Sequence, residues 1–235
     1  MTMNDLMNLL QNSLFGCLDP GVLRDLVNNS IHRKYEEGEW IVRQGDVWPY
    51  LFLVGTGKVT AIKDSFEGRS LTLTSFEGGE IFWGLAFFHQ DVPMPAGFQA
   101  SKAASLHLWS RERMLPVILQ NGSLSWEIAR LTIQRVQIVS EVVEKLAFQP
   151  VASRLARLLL EQTSTAGGEQ QHRDLTLDDM AARIGSTREV VSRFLHRFYN
   201  EGIINITRTE FSITDRRRLQ EMAQKVKGEV LKTSG

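Results

Sequence analysis

An α+β fold in three segments is what the sequence predicts: an antiparallel jelly roll (a double-stranded β-helix), a long helix, and a small helical domain carrying two further β runs. Three observations predict it. Between about Tyr35 and Leu108, short alternating runs recur (WIVRQ, YLFLVG, KVTAIKD, SLTLTSF and SLHLWS) with glycines or charged turns between them. From Ser123 to Gln149 the period becomes helical, with no Gly or Pro until Pro150. Further on, two short helical stripes are separated by Ile184-Gly185-Ser186. Short strands at regular spacing with Gly turns indicate an antiparallel sandwich or barrel. The expected domains are 1–122, 123–147 and 148–235.

Taken in order, residues 3–30 read as helical, and Asp19-Pro20-Gly21 starts a new turn with Leu23, Leu26 and Val27 at helical spacing. The strand region follows, with turns expected at EEGEW, VGTGK, FEGRS and FEGGE. In the long helix, Ile128, Thr132, Val136, Val139, Val143 and Leu146 recur at spacings close to a heptad seam. Such a seam has to be buried, against the protein's own barrel or against the same helix of a second subunit. STAGGEQQHRD is a polar connector, NITRTEFSIT reads as two β runs around a turn, and DRRRLQEMAQKVKG closes as a helix.

Composition narrows the function classes. The 235 residues carry no net charge, yet residues 147–235 hold 14 Lys+Arg against 11 Asp+Glu, a local +3, and residues 1–146 are −3. A mildly basic second half fits a nucleic-acid partner. Cys17 is the only cysteine, which excludes an intrachain disulfide and a cysteine-ligated zinc or iron–sulfur site; it reads as a buried small apolar residue. No apolar run reaches membrane-spanning length and MTMNDLMNLL has no basic n-region, so a cytoplasmic protein is the expectation. No nucleophile–base set, metal-ligand spacing or phosphate loop is present; no catalytic or metal residue is assigned and an enzyme is not expected.

The pair of helices around Gly185 carries the function. Thr176 suits the N-cap of the first, with Asp179 three residues on, and Gly185 suits the left-handed position that ends a helix. Ser186-x-x-Glu189 fits a capping box for the second. This is a helix-turn-helix pattern. On the second helix Val190, Val191, Phe194, Leu195 and Phe198 share one side, and Arg188, Glu189, Ser192, Arg193 and His196 the other. Arginine can donate twice to guanine and glutamate can accept from cytosine, so this face can read successive base pairs. The plainer alternative is an amphipathic surface helix, with Glu189 serving only as a cap.

Five stretches in order, GEWIVRQGD, LFLVGTGKV, LAFQPVASRLARLLL, STREVVSRFL and NITRTEFSITD, resemble the Crp/Fnr family of bacterial transcription regulators along nearly the whole chain. The resemblance implies a cyclic-nucleotide-binding-like sensor barrel, a dimerisation helix and a winged helix-turn-helix. It implies a homodimer on double-stranded DNA with an inverted-repeat operator, and RNA polymerase as a further partner. Arg188, Glu189 and Arg193 fall on base-contacting positions, and Ser192 beside Arg193 is more like the oxygen-sensor type. Thr176 and Asp178 match the backbone-contacting segment; Thr187 and His196 complete the DNA-facing set. Arg183, Arg197 and Arg208 are expected to face phosphate.

The chain departs from that family in GGEIFWGLAFFHQDVPMPAGFQA, residues 78–100, which has neither Lys nor Arg. Where cyclic-nucleotide-binding members have a Gly-Glu pair for the ribose, Trp83 and Gly84 stand; for the Arg-Ser pair on the phosphate, Met94 and Pro95 stand. Val139 and Ser140 occupy the place of the Thr-Ser pair for adenine. A buried phosphate without a cation is costly, so cyclic AMP in the usual mode is not expected. The cofactor is left open: haem, with His89 and Met94 near the altered stretch and His32 and His107 about the barrel; an apolar effector among Phe82, Trp83, Phe87, Phe88, Met94, Val139 and Ser140; or aromatics that only fill the core. A signalling adaptor with a relic helix-turn-helix is the rival class.

Overall fold

The computed structural model describes residues 2–164, 171–172, 175–207 and 210–225. The chain divides into two compact units, Met1–Asp64 with Leu73–Val139, and Ser65–Thr72 with Ser140–Gly235.

The first unit opens with two short helices, α1 (Met3–Gln11) and α2 (Pro20–Asn28). Thr2 caps α1 in a reciprocal box with Asp5, and Pro20 occupies the first turn of α2, where its missing N–H costs nothing. The strands are β1 (Ile31–Tyr35), β2 (Trp40–Val42), β3 (Tyr50–Asp64), β4 (Ser70–Glu77), β5 (Ile81–Trp83) and β6 (Gly97–Ser110), with the short helix α3 (Leu85–Phe88) after β5. They form an antiparallel sheet in the order β1-β6-β3-β4, with β2 on β6 and β5 on β3. Helices α4 (Arg111–Gln120) and α5 (Gly122–Phe148) follow.

Alternation along the two long strands separates two cores. Phe52 and Val54 of β3, with Leu106 and Leu108 of β6, enter the barrel interior beside Phe76, Phe82, Met94 and Phe98. Their neighbours Leu51, Leu53 and Trp109 face outward onto Leu10, Phe15, Leu26, Met114, Leu124 and Ile128 of the helices. Trp109 Nε1 donates to the Leu26 carbonyl at 2.8 Å, which satisfies the one polar atom this indole brings inside.

Three local expectations are corrected. VGTGK is not a turn: β3 runs through it without a break, and shifts of register against β6 at Val54/Thr56 and Thr56/Lys58 absorb the glycines as bulges. β1, unread in the sequence, is an exposed strand, IHRKY, with no apolar alternation to betray it. Cys17 is exposed: the 3-10 turn Leu14–Cys17 sends Phe15 into the core, and Leu18 follows it, leaving the thiol outside.

The second unit contains α6 (Val151–Ser164), β7 (Gln171–His172), α7 (Leu177–Ile184), α8 (Arg188–Asn200), β8 (Ile204–Ile206), β9 (Glu210–Ile213) and α9 (Arg216–Gln224). Its core is Leu155 and Leu159 of α6, Met180 and Ile184 of α7, Val191, Leu195 and Phe198 of α8, and Leu219 of α9. The strands form a small antiparallel sheet in the order β7-β9-β8, which is the wing the resemblance implies.

Candidate nucleic-acid interface and sensor pocket

The turn between α7 and α8 is fixed by local bonds. Thr176 Oγ1 accepts from the Asp179 N–H at 3.1 Å while Asp179 Oδ2 accepts from the Thr176 N–H at 2.9 Å. Gly185 ends α7 at φ +60, a left-handed conformation that glycine alone adopts freely, and a Cβ there would lie 2.4 Å from the Leu146 side chain. The next residue corrects the expected cap. Ser186 spends its N–H on the Ala181 carbonyl at 2.9 Å, closing α7, so it cannot also serve a capping box with Glu189. Thr187 is the N-cap of α8 and accepts from the Val190 N–H at 3.4 Å.

Arg154 holds this turn from α6, a role not read from the sequence. Its Nε donates to the Ile184 carbonyl at 2.8 Å and its guanidinium also donates to the Gln149 carbonyl at 2.7 Å. Carbonyls at the end of a helix have no partner of their own, and a cation suits them.

The exposed face of α8 carries Arg188, Glu189, Arg193 and His196, with Ser192 half-buried between them. The two arginines differ. Arg188 pairs with Asp178 of α7 at 3.0 Å. Arg193 has no ion-pair partner among the described residues. The Glu189 carboxyl is held below its usual range by its own backbone N–H and by the Thr187 hydroxyl. Of the residues expected to face phosphate, Arg183 is exposed, Arg197 pairs with Glu201 at 2.7 Å, and Arg208 lies outside the described residues.

The long helix presents two adjacent stripes, as about 100° per residue requires. Ile128, counted in the expected seam, is only 6% exposed and packs on the core of its own chain. Leu146 at the other end is half-buried next to Gly185. The seam is therefore shorter than expected. Between these ends Thr132, Val136, Val139 and Val143 form an open stripe, with Val136 64%, Val139 43% and Val143 58% exposed.

In the altered stretch, the residues expected to gather around an effector are mostly core. Phe82 stacks on Phe52 with centroids 4.5 Å apart inside the barrel, Met94 is buried in that same cluster, and Phe87 is buried in the outer one. They do not converge on one pocket. Val139 and Ser140 are exposed. At Gly84, which the resemblance sets in place of a ribose-binding glutamate, a Cβ would lie 1.8 Å from the Trp48 carbonyl oxygen. No side chain fits without moving the backbone. His89 is exposed, and His107 is buried with both ring nitrogens unpartnered among the described residues, stacked on His32 at 4.9 Å.

Sequence reasoning missed the cation. Arg135 of α5 lies over the Trp83 ring at 4.3 Å and the Phe76 ring at 5.0 Å. Burial pulls its pKa down to about 10, against the opposing pull of Glu80. The signal was present: Leu124, Ile128, Leu131, Arg135 and Ile138 fall at alternating spacings of four and three, which is one face of a helix. Leu131, Arg135 and Ile138 of that stripe line a cavity of about 300 Å³ with Thr74, Phe76, Glu80 and Ile81.

A rolled antiparallel barrel, a long helix with an open apolar stripe and a helix-turn-helix with a polar outer face define a DNA-binding regulator with a sensor domain. Comparison with known proteins agrees. Residues 32–121 match the cyclic nucleotide-binding domain and residues 153–222 the Crp-like helix-turn-helix domain. A cyclic AMP receptor protein of Thermus thermophilus is 27% identical over 81% of this chain and 87% of its own. A putative transcriptional regulator of the crp/fnr family from Eubacterium rectale shares the fold at TM-score 0.76 and 24% identity, covering 90% of this chain and 98% of its own. The regulator CLP of Xanthomonas campestris, described as c-di-GMP responsive, does so at TM-score 0.71 and 22% identity, covering 83% of this chain and 99% of its own. The chain belongs to the Crp/Fnr family of transcription regulators, whose members bind DNA and act as dimers. Among the described residues no helix is long and apolar enough to cross a membrane.

Proposed function

We propose that this regulator acts in the cytoplasm as a homodimer that reads an inverted-repeat operator through α8 and does not answer to cyclic AMP. The dimer would form along Thr132, Val136, Val139 and Val143, an exposed stripe at heptad-like spacing on α5. Two copies of α8 would then enter successive major grooves about one helical turn apart, ~34 Å. From the family resemblance, each half-site contains a core like TGA, as TTGA or GTGA, and the bound dimer contacts RNA polymerase.

The observation that carries the reading is Arg193: exposed on the outer face of α8 and without an ion-pair partner among the described residues. A guanidinium free to turn can donate to O6 and N7 of guanine. Arg193→Ala should weaken binding to the operator by ~1–3 kcal/mol and to random duplex hardly at all. Fluorescence anisotropy on both duplexes at one salt concentration checks it; equal losses would make Arg193 a phosphate contact and end the base-reading claim. The case against cyclic AMP rests on Gly84, which has no room for a side chain, and on buried Met94 where a phosphate-binding arginine would stand.

A further inference from the structure

Arg135 is an unusual group to find inside a sensor domain. It is half-buried, it lies over two aromatic rings, and among the described residues it has neither a salt-bridge partner nor a hydrogen-bond acceptor. The Glu80 carboxylate acts on it from a distance, while its Oε2 accepts from the Glu77 N–H at 2.7 Å and closes the turn between β4 and β5. Stacking satisfies the faces of a guanidinium and leaves its edge donors needing acceptors. Arg135 lines the cavity of about 300 Å³, whose apolar lining is Leu14, Phe76, Ile81, Leu131 and Ile138.

We propose that this cavity is the effector site and that it takes a small monocarboxylate with a flat apolar body, its carboxylate gripped by Arg135. The proposal rests on reading the first unit as a sensor, and it goes further by naming the ligand class. A planar fork of donors matches a carboxylate in two parallel hydrogen bonds. Among the described residues Arg135 is the one cation in the cavity lining, and Glu80 adds a negative charge there. With the lining already neutral, a monoanion leaves one unbalanced negative charge, whereas a phosphate dianion or a dinucleotide with two phosphates leaves two, so the singly charged ligand is the least costly to bury. The volume is at the low end of the ~300–1,000 Å³ range of small-molecule sites, which favours a single-ring ligand.

The test uses benzoate as the probe, with benzamide as its neutral isostere, titrated calorimetrically into the full chain without DNA. Benzoate should bind, and benzamide should bind on the order of tenfold more weakly or worse, since only the anion forms charge-assisted bonds. Arg135→Gln should lose benzoate binding, and Arg135→Lys should recover part of it. Equal binding of acid and amide would show an apolar pocket and overturn the proposal, as would benzoate binding that survives in a folded Arg135→Gln. No heat from benzoate at millimolar concentration with the wild type overturns it without any variant. Cyclic AMP in the same experiment tests the earlier reading separately, and operator binding by the same preparation tests the DNA assignment, so each can fail alone.

Discussion

Helix α8 and the altered stretch 78–100, the one proposed to read DNA and the other set where the resemblance places a ligand, are built in opposite ways. On α8 the apolar residues Val191, Leu195 and Phe198 are buried while Arg188, Glu189, Arg193 and His196 stay exposed. In the stretch 78–100, Phe82, Phe87 and Met94 are buried, and Gly84 abuts the Trp48 carbonyl. One region holds its polar groups at the surface; the other buries its aromatics as core and has a cation, Arg135, brought over Trp83 from a different element. A surface site survives substitution around it because its partners come from outside. An internal site must be repacked once its polar ligand-binding groups are gone, since an empty polar cavity loses contacts and leaves donors unpaired.

The largest expected effect falls on the stripe that would join two copies of both regions. Val139→Asp with Val143→Asp places like charges face to face across a two-fold axis and should give monomers, with specific operator binding lost because a single half-site is left. Light scattering reads the mass. A dimer that persists would move the interface off α5 and leave the open stripe unexplained.

Next in size is an attempt to rebuild the nucleotide site. Gly84→Glu restores the ribose-binding side chain by name only. Its Cβ would meet the Trp48 carbonyl oxygen at 1.8 Å, and backbone cannot swing aside as a side chain can. A loss of ~3 kcal/mol or more of stability is expected, in the range of severe overpacking, with no melting-temperature rise from cyclic AMP. A ligand at a hundred times its dissociation constant would add ~2.7 kcal/mol, so tight binding would be seen. A variant that is stable and gains a cyclic AMP response would show that the stretch is a site lightly disguised, and the contrast with α8 would collapse.

These contrasts also explain what was legible. The helix-turn-helix could be read residue by residue because its determinants are local: the Thr176 cap, Gly185, and the periodic faces of α8 all lie within a few residues of what they control. The single error there, Ser186 taken for the cap of α8, concerned an N–H that closing α7 had already used. The barrel showed its alternation but not β1, whose exposed charged residues carry no pattern. The surroundings of the altered stretch were read least well. That Phe82 and Phe87 point into different cores depends on strand pairing, and that Arg135 reaches Trp83 depends on how α5 docks on the barrel. Ile128 was misplaced for the same reason: one apolar spacing serves the barrel-facing stripe and the open stripe alike.

Acid should separate the regions next. His107 is buried with both nitrogens unpartnered among the described residues, and burial, with His32 beside it, pushes its pKa down from 6.5 to about 4. The unfolded chain takes up a proton near pH 6.5 while the folded one refuses it until about 4. Stability is therefore complete above that window and falls as pH drops through it, by ~2 kcal/mol at pH 5. His107→Leu keeps the volume apolar and should remove this part of the acid sensitivity. The difference between variant and wild type, measured by urea unfolding, should grow in favour of the variant from pH 7 to pH 5. A difference independent of pH would mean that His107 already has a partner for its proton.

The smallest effect belongs to the surface pair Arg188–Asp178, and it asks how free the recognition face is. Both side chains are largely exposed, so the 3.0 Å contact contributes little to folding, ~0–1 kcal/mol. Its consequence is for DNA. Arg188 must leave Asp178 to reach a base, and Asp178 brings a negative charge toward the phosphates. Asp178→Asn should leave stability within ~0.5 kcal/mol and raise affinity by a few-fold on operator and random duplex alike, since charge removed near the backbone acts without regard to sequence. Anisotropy at two salt concentrations checks it. A selective loss on the operator would give the opposite answer: Asp178 would be aiming Arg188 at its base, and the pair would act as a unit of the reading face. Arg193, which has no such partner among the described residues, should show neither behaviour, so Arg188 and Arg193 serve as controls for each other.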